Sequence, residues 1–191
     1  MNSSDFPTLE QLERERRRLS EKRRFRRTLC ATLRSLLVLL ALAVLVTVSC
    51  LPILLVQGSS MEPALREGDA VLCIRGSSFE RGDVVAFNYG TKILIKRVIA
   101  GPGDRVDMDE EGGVYCNDRL LSESYVSEKA VGKLDMALPC TVPADSWFLM
   151  GDERSVSVDS RSTLLGFVST EQIIGRVYLR IWPLWDIGGI S

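Results

Sequence analysis

The chain has 191 residues, 46% apolar and 26% charged with a formal net charge of −1, a globular balance that leaves room for one domain and an extra segment. It contains no histidine. That excludes Ser-His and Cys-His hydrolases, HExxH metallopeptidases and nearly every zinc site built on imidazole, so hydrolytic chemistry would need another base.

The near-neutral total conceals two opposed halves: residues 1–34 carry ten Lys/Arg against five Asp/Glu, and residues 57–191 carry fourteen against twenty. Residues 8–27, TLEQLERERRRLSEKRRFRR, are rich in helix formers, but Leu9, Leu12 and Leu19 give only a sparse apolar stripe. This predicts a solvated or headgroup-associated helix, not a coiled coil.

Leu36–Val56 then runs without a charge for 21 residues, about 31 Å of helix at roughly 1.5 Å per residue, enough to span a bilayer. The preceding Arg14, Arg16, Arg17, Arg18, Lys22, Arg23, Arg24, Arg26, Arg27 and Arg34 place the N-terminus in the cytoplasm by the positive-inside rule. The long leader and long apolar run argue against a cleaved signal peptide, and Thr47-Val48-Ser49-Cys50 is a poor lipoprotein cleavage site. Beside a membrane span the basic run reads as a topology signal, so membrane lipid and no nucleic acid is expected as a partner. The expected organisation is a cytoplasmic basic leader (1–34), a transmembrane helix (35–56) and an extracytoplasmic domain (57–191), a single-pass cell-membrane protein.

From residue 70 onward the pattern is short strands punctuated by Gly, Pro and Asp: AVLCIRG, DVVAFNYG, KILIKRVIAG, RVDMDEEGGVYC, SWFLMGD and IIGRVYLRIWP. With no amphipathic helix among them, these predict a mainly β domain, an antiparallel sheet or barrel. Asp107–Glu111 and Ser122–Met136 read as exposed loops. Cysteines stand at 30, 50, 73, 116 and 140 with no metal spacing. If the exterior is oxidising, Cys116 with Cys140 is the candidate disulfide, although spacing does not fix the pairing among Cys73, Cys116 and Cys140.

Three blocks carry chemistry. VQGSSMEPALREGDAVL holds Ser60 in a Gly-Ser-Ser turn stiffened by Pro63; such a serine is ordinarily a turn former and needs a second signal. KILIKRVIAGPGD supplies it, because Lys96 lies within an apolar strand. There it is either a snorkelling surface lysine or a buried amine whose lowered pKa lets it accept a serine proton. MGDERSVSVDSRSTLLGFV concentrates Asp152, Arg154, Ser157, Asp159, Ser160 and Arg161. Asp159 and Arg161 suit a structural clamp equally well, whereas the Ser157 hydroxyl could orient an amine toward a nucleophile.

Together these blocks resemble the bacterial type I signal peptidases, in their short Gram-positive form. GSSMEPAL is similar to the nucleophile box, KRVIAGPGD to the lysine box and GDERSVSVDSR to the third box, and the span ahead of the serine and the closing RIWPLWDIG also match. The resemblance covers about residues 36–187. It implies Ser60 as nucleophile, Lys96 as general base and Ser157 as the residue orienting the amine, with Asp152, Asp159 and Arg161 in support.

It further implies substrate pockets for small side chains drawing on Val56, Met61, Leu65 and Ile95, no metal and no cofactor, and an antiparallel β fold with an apolar surface against the membrane. Gly58 stands where some members have a serine, which leaves the oxyanion region (Gly58, Ser59, Ser60) to backbone N–H groups. Glu153, Ser155 and Val156 replace the more usual Asn, Asp and Asn.

The expected activity is removal of signal peptides from exported preproteins after small residues (Ala-x-Ala), near the secretion machinery. A non-catalytic relative that binds exported or pilus-type subunits is the rival reading, in which Ser60 or Lys96 would be free to drift. A self-cleaving repressor with the same dyad would carry a DNA-binding helix-turn-helix in place of the span.

Overall fold

The computed structural model describes residues 9–76 and 78–190, so the first eight residues of the basic leader lie outside the described residues. It divides into two units, Met1–Ser49 and Cys50–Ser191.

The N-terminal unit is helix α1, Leu9–Cys50. Leu and Arg dominate it, an Arg14–Glu10 pair at 3.1 Å sits one turn apart, and the Thr28, Thr32 and Ser35 hydroxyls donate to carbonyls of the preceding turn. Within α1, Arg24–Leu45 is long and apolar enough to cross a membrane.

The apolar run does not form a single helix to residue 56, as the sequence suggests. Pro52 lacks an N–H and disfavours helical backbone at Leu51, so α1 stops at Cys50. Ile53–Leu55 instead forms strand β1, antiparallel to β2 (Ala70–Arg75), with Ile53, Leu54 and Leu55 opposite Leu72, Val71 and Ala70. Apolar content marks both environments alike, and the proline separates them.

The second unit is mainly antiparallel β, as expected. Beyond β1 and β2 it comprises β3 (Val84–Tyr89), β4 (Lys92–Ala100), β5 (Arg105–Met108), β6 (Val114–Cys116), β7 (Arg119–Leu120), β8 (Cys140–Thr141), β9 (Ser146–Met150), β10 (Val168–Ser169), β11 (Ile173–Trp182) and β12 (Gly188–Gly189). One sheet runs β1-β2-β11-β3-β4-β9-β10 with β12 on β11, and a smaller one runs β7-β6-β5-β8. Val71, Val84–Phe87, Val98–Ala100 and Phe148–Met150 are buried in the core.

Asp107 lies within β5 instead of opening an exposed loop, and the turn to β6 is made by the residues that follow that strand. Ser122–Met136 has no helix or strand, but Glu123 within it is buried, so it is not simply an exposed loop. The candidate Cys116–Cys140 disulfide is absent and both are free thiols. Each lies opposite Val106, Cys116 on β6 and Cys140 on β8, at opposite sides of β5. Two interstrand steps separate their backbones by about 9.5 Å, beyond the roughly 7 Å a disulfide spans.

Candidate active site

Ser60 follows β1 in a turn closed by a hydrogen bond from the Glu62 N–H to the Ser59 carbonyl at 3.0 Å. Gly58 enters that turn at φ +80°, and a Cβ there would meet nothing within 4 Å, so backbone conformation and not space favours glycine. The N–H groups of Gly58, Ser59 and Ser60 have no partner among the described residues. They remain available to an incoming acceptor.

Lys96 lies in mid β4. Along Lys92–Arg97 this strand pairs with β3, Lys96 opposite Val85, while pairing with β9 begins only at Arg97. Beside Lys96 the sheet is therefore open on the β9 side. Lys96 is 3% exposed and its amine donates to Ser60 Oγ at 2.6 Å, which brings together two residues 36 apart in sequence. Burial pushes the amine down from 10.5 to about 8, with Arg161 acting in the same direction and the Asp159 and Asp152 carboxylates opposing it. The sequence leaves two environments open for this lysine, and the buried amine is the one observed.

The third block occupies the space where β9 ends. Gly151 is held so closely that a Cβ would come 2.5 Å from the Ser60 carbonyl oxygen and 2.3 Å from Ser157 Oγ. The Glu153 N–H donates to that same Ser60 carbonyl at 3.2 Å. Among the described residues Ser157 Oγ is buried without a partner in hydrogen-bond geometry. The bond from Ser157 to Lys96 expected from sequence is not made here; the amine's bond goes to Ser60.

Asp159 and Arg161 form a fully buried clamp. All five guanidinium N–H groups are used: two on Asp159, two on the Ala130 and Val131 carbonyls and one on the Arg154 carbonyl. Burial raises the Asp159 carboxyl, but Arg161, the Gly151 N–H and the nearby Ser157 hydroxyl outweigh it and hold the group below the usual carboxylate range. Asp152 takes both Arg97 Nε and Nη2, at 2.8 and 2.7 Å. There burial wins and leaves the carboxyl raised.

Arg97 has no role that the sequence alone assigns. Its one signal is that of a second cation in an apolar strand, which requires a buried counter-charge. Arg154 stands in the third block without a legible role, and Glu123 carries no signal.

A cleft of about 380 Å³ reaches the Ser60–Lys96 pair between residues 53–58 on one side and Thr91 with Ile93–Ile95 on the other. Val56, Met61 and Ile95 line it. Leu65 does not; it is fully buried in the core cluster that also holds Val56 and Met61.

A serine beside a buried amine, in a chain without histidine, can be compared with known proteins. Residues 29–182 match the family model described as signal peptidase, peptidase S26. The chain is 34% identical over 146 residues to a probable signal peptidase I-2 of Synechocystis sp., a match spanning 70% of this chain and 64% of that one. It is 32% identical over 167 residues to signal peptidase I of Bacillus amyloliquefaciens, spanning 81% and 86%. Signal peptidase I T of Bacillus subtilis is 34% identical over 142 residues, spanning 68% and 72%. A family match across most of the sequence, reinforced by relatives at this level of identity, carries the assignment: the chain belongs to the signal peptidase family, peptidase S26, as a serine peptidase of the signal peptidase I type.

Proposed function

We propose that the chain is a membrane-anchored endopeptidase that cuts signal peptides from exported preproteins after small residues, with Ser60 as nucleophile and Lys96 as general base. The observation that carries this reading is the 2.6 Å contact between Ser60 Oγ and a lysine only 3% exposed. A neutral Lys96 takes the Ser60 proton as Oγ attacks the scissile carbonyl, and the resulting ammonium returns that proton to the departing amine. An acyl-ester on Ser60 remains. Water, deprotonated by the same lysine, releases the acyl group and regenerates the serine. The N–H groups at 58–60, without a partner among the described residues, suit the oxyanion of each tetrahedral intermediate. Asp152, Asp159 and Arg161 hold the third block in place, and Ser157, whose Oγ is buried with no partner among the described residues, is the residue we assign to orient the amine once substrate is bound.

Substrate geometry follows from strand edges. β1 ends its sheet, and Lys92–Lys96 of β4 pair only with β3, so the cleft lies between two open edges. An extended peptide would add to them by backbone hydrogen bonds, with Val56, Met61 and Ile95 around the side chains next to the cut. Leu65 would act from behind that wall, by packing.

A membrane location is supported by α1 and by one row across the large sheet. Leu55 faces Ala70, which faces Trp182; Leu55 and Trp182 are 63% and 49% exposed, and Leu184, Trp185 and Ile187 beyond them are exposed too. Aromatic and aliphatic groups of this kind suit a bilayer interface near the secretion machinery, where preproteins emerge. The intact Ser-Lys contact weighs against the non-catalytic rival.

The test is cleavage of a preprotein whose signal peptide ends in Ala-x-Ala by the full chain in detergent, read by product mass. Ser60→Ala and Lys96→Ala should each abolish processing with the protein still folded, and Ser59→Ala should be nearly neutral. An essential Ser59, or substantial turnover by Lys96→Ala, sinks the dyad.

A further inference from the structure

Ser122–Met136 has no regular structure, yet it is fastened to the third block near both of its ends. The Glu123 carboxylate accepts from both Arg154 Nη atoms, and both side chains are completely buried. Tyr125 donates to Glu123 at 3.1 Å and stacks its ring 4.0 Å from the Arg97 guanidinium. The Ala130 and Val131 carbonyls accept from Arg161, and the Asp135 and Met136 N–H groups donate to its carbonyl at 3.1 and 3.0 Å. At Gly132 a Cβ would come 2.3 Å from the Arg154 carbonyl oxygen, so the segment seats here only without a side chain.

We propose that Ser122–Met136 is a strap that positions the catalytic turn, and that Glu123 is its positioning residue, acting through Arg154. The path is short. Glu123 fixes the Arg154 guanidinium, whose Nε donates to the Gly151 carbonyl at 3.1 Å. Gly151 in turn abuts the Ser60 carbonyl and Ser157 Oγ. Releasing Arg154 frees Gly151 to shift, and the Ser60 backbone with it.

The cleft walls belong to other residues, 53–58, Ser60, Met61, Thr91 and 93–96. Loss of Glu123 therefore acts on turnover and spares peptide binding. A pair that served stability alone would be replaceable by apolar side chains of similar size. A positioning pair would not, because the Gly151 carbonyl would lose its donor.

The inference rests on the Ser60–Lys96 reading, and the experiment separates the two. Full-length enzyme in detergent is assayed on a preprotein, with thermal unfolding followed in parallel. Glu123→Gln should lower kcat about tenfold or more and Glu123→Asp about threefold, each with KM within about twofold of wild type. Glu123→Leu combined with Arg154→Met should recover Tm while kcat stays low. Wild-type kcat in the Glu123 variants overturns the proposal, as does joint recovery of Tm and kcat in the double variant. Failure of Glu123→Gln and Glu123→Asp to fold would make the strap a stability element and overturn it as well. Ser60→Ala in the same assay reports on the dyad alone: activity there defeats the dyad, whatever Glu123 does.

Discussion

Burying an amine works against its charge, and Lys96 shows the cost and the use of that conflict. The folded-state pKa of about 8 lies below the ordinary 10.5 because desolvation outweighs the carboxylates of Asp159 and Asp152. Below pH 8 both folded and unfolded chains hold the proton, and the burial cost is fully expressed. Between 8 and 10.5 only the unfolded chain holds it, so stability rises with pH across that window, by roughly 3 kcal/mol in all. Denaturant midpoints at pH 7.5 and 10, taken relative to Lys96→Met so that the buried thiols, which titrate in the opposite sense, cancel, measure the rise. For catalysis the sign is the same: kcat/KM should climb about tenfold per pH unit below 8 and level above it, because the base acts when neutral. Lys96→Arg should stay inactive even at pH 9, since guanidinium does not deprotonate there. An active arginine variant, or a rate that already levels off near pH 6.5, contradicts the assignment.

At the scale of elements, the third block is held by charge pairs that are almost wholly desolvated: Arg97–Asp152, Arg154–Glu123 and Arg161–Asp159. Arg161 shows why lysine is no substitute. Its five donors meet five acceptors in a planar fan, whereas an ammonium offers three and leaves buried oxygens unsatisfied. Arg161→Lys should therefore destabilise by about 3–5 kcal/mol, measured by urea unfolding. A loss under about 1 kcal/mol would show that the fan contributes little. The Asp-x-Arg spacing makes that clamp visible in the sequence, because only one residue separates the two. Glu123 is not visible there: it lies 31 residues from Arg154 in a segment without periodicity, and an acid in such a segment ordinarily faces water. Likewise Leu51–Val56 has the composition of a membrane span, and only Pro52 hints that part of it becomes a strand.

Over the whole molecule, short apolar runs separated by turn residues are enough to foresee an antiparallel β domain, since run length and turn spacing are local properties of the sequence. The order of strands is not foreseeable, because β11 enters between β2 and β3 from about a hundred residues away, a pairing no local pattern encodes. The charge asymmetry bears on the molecule as a whole. Protease added outside intact cells should digest the 57–191 domain and spare an epitope placed before Arg14. Digestion of the epitope instead would reverse the orientation and remove exported preproteins as substrates.

The thiols on either side of β5 carry a consequence for where this domain can be made. Cys116 and Cys140 are both opposite Val106 and face no cysteine across a single strand step, and Cys73 is a buried free thiol in the other sheet. Burial raises all three above the ordinary thiol range, which keeps them protonated and slow to react. The β domain is thus indifferent to the redox poise of its compartment. It should reach the same folded state in reducing cytosol as at the cell exterior, with its melting temperature unmoved by dithiothreitol and Cys73, Cys116 and Cys140 each titrating as a thiol once it is denatured.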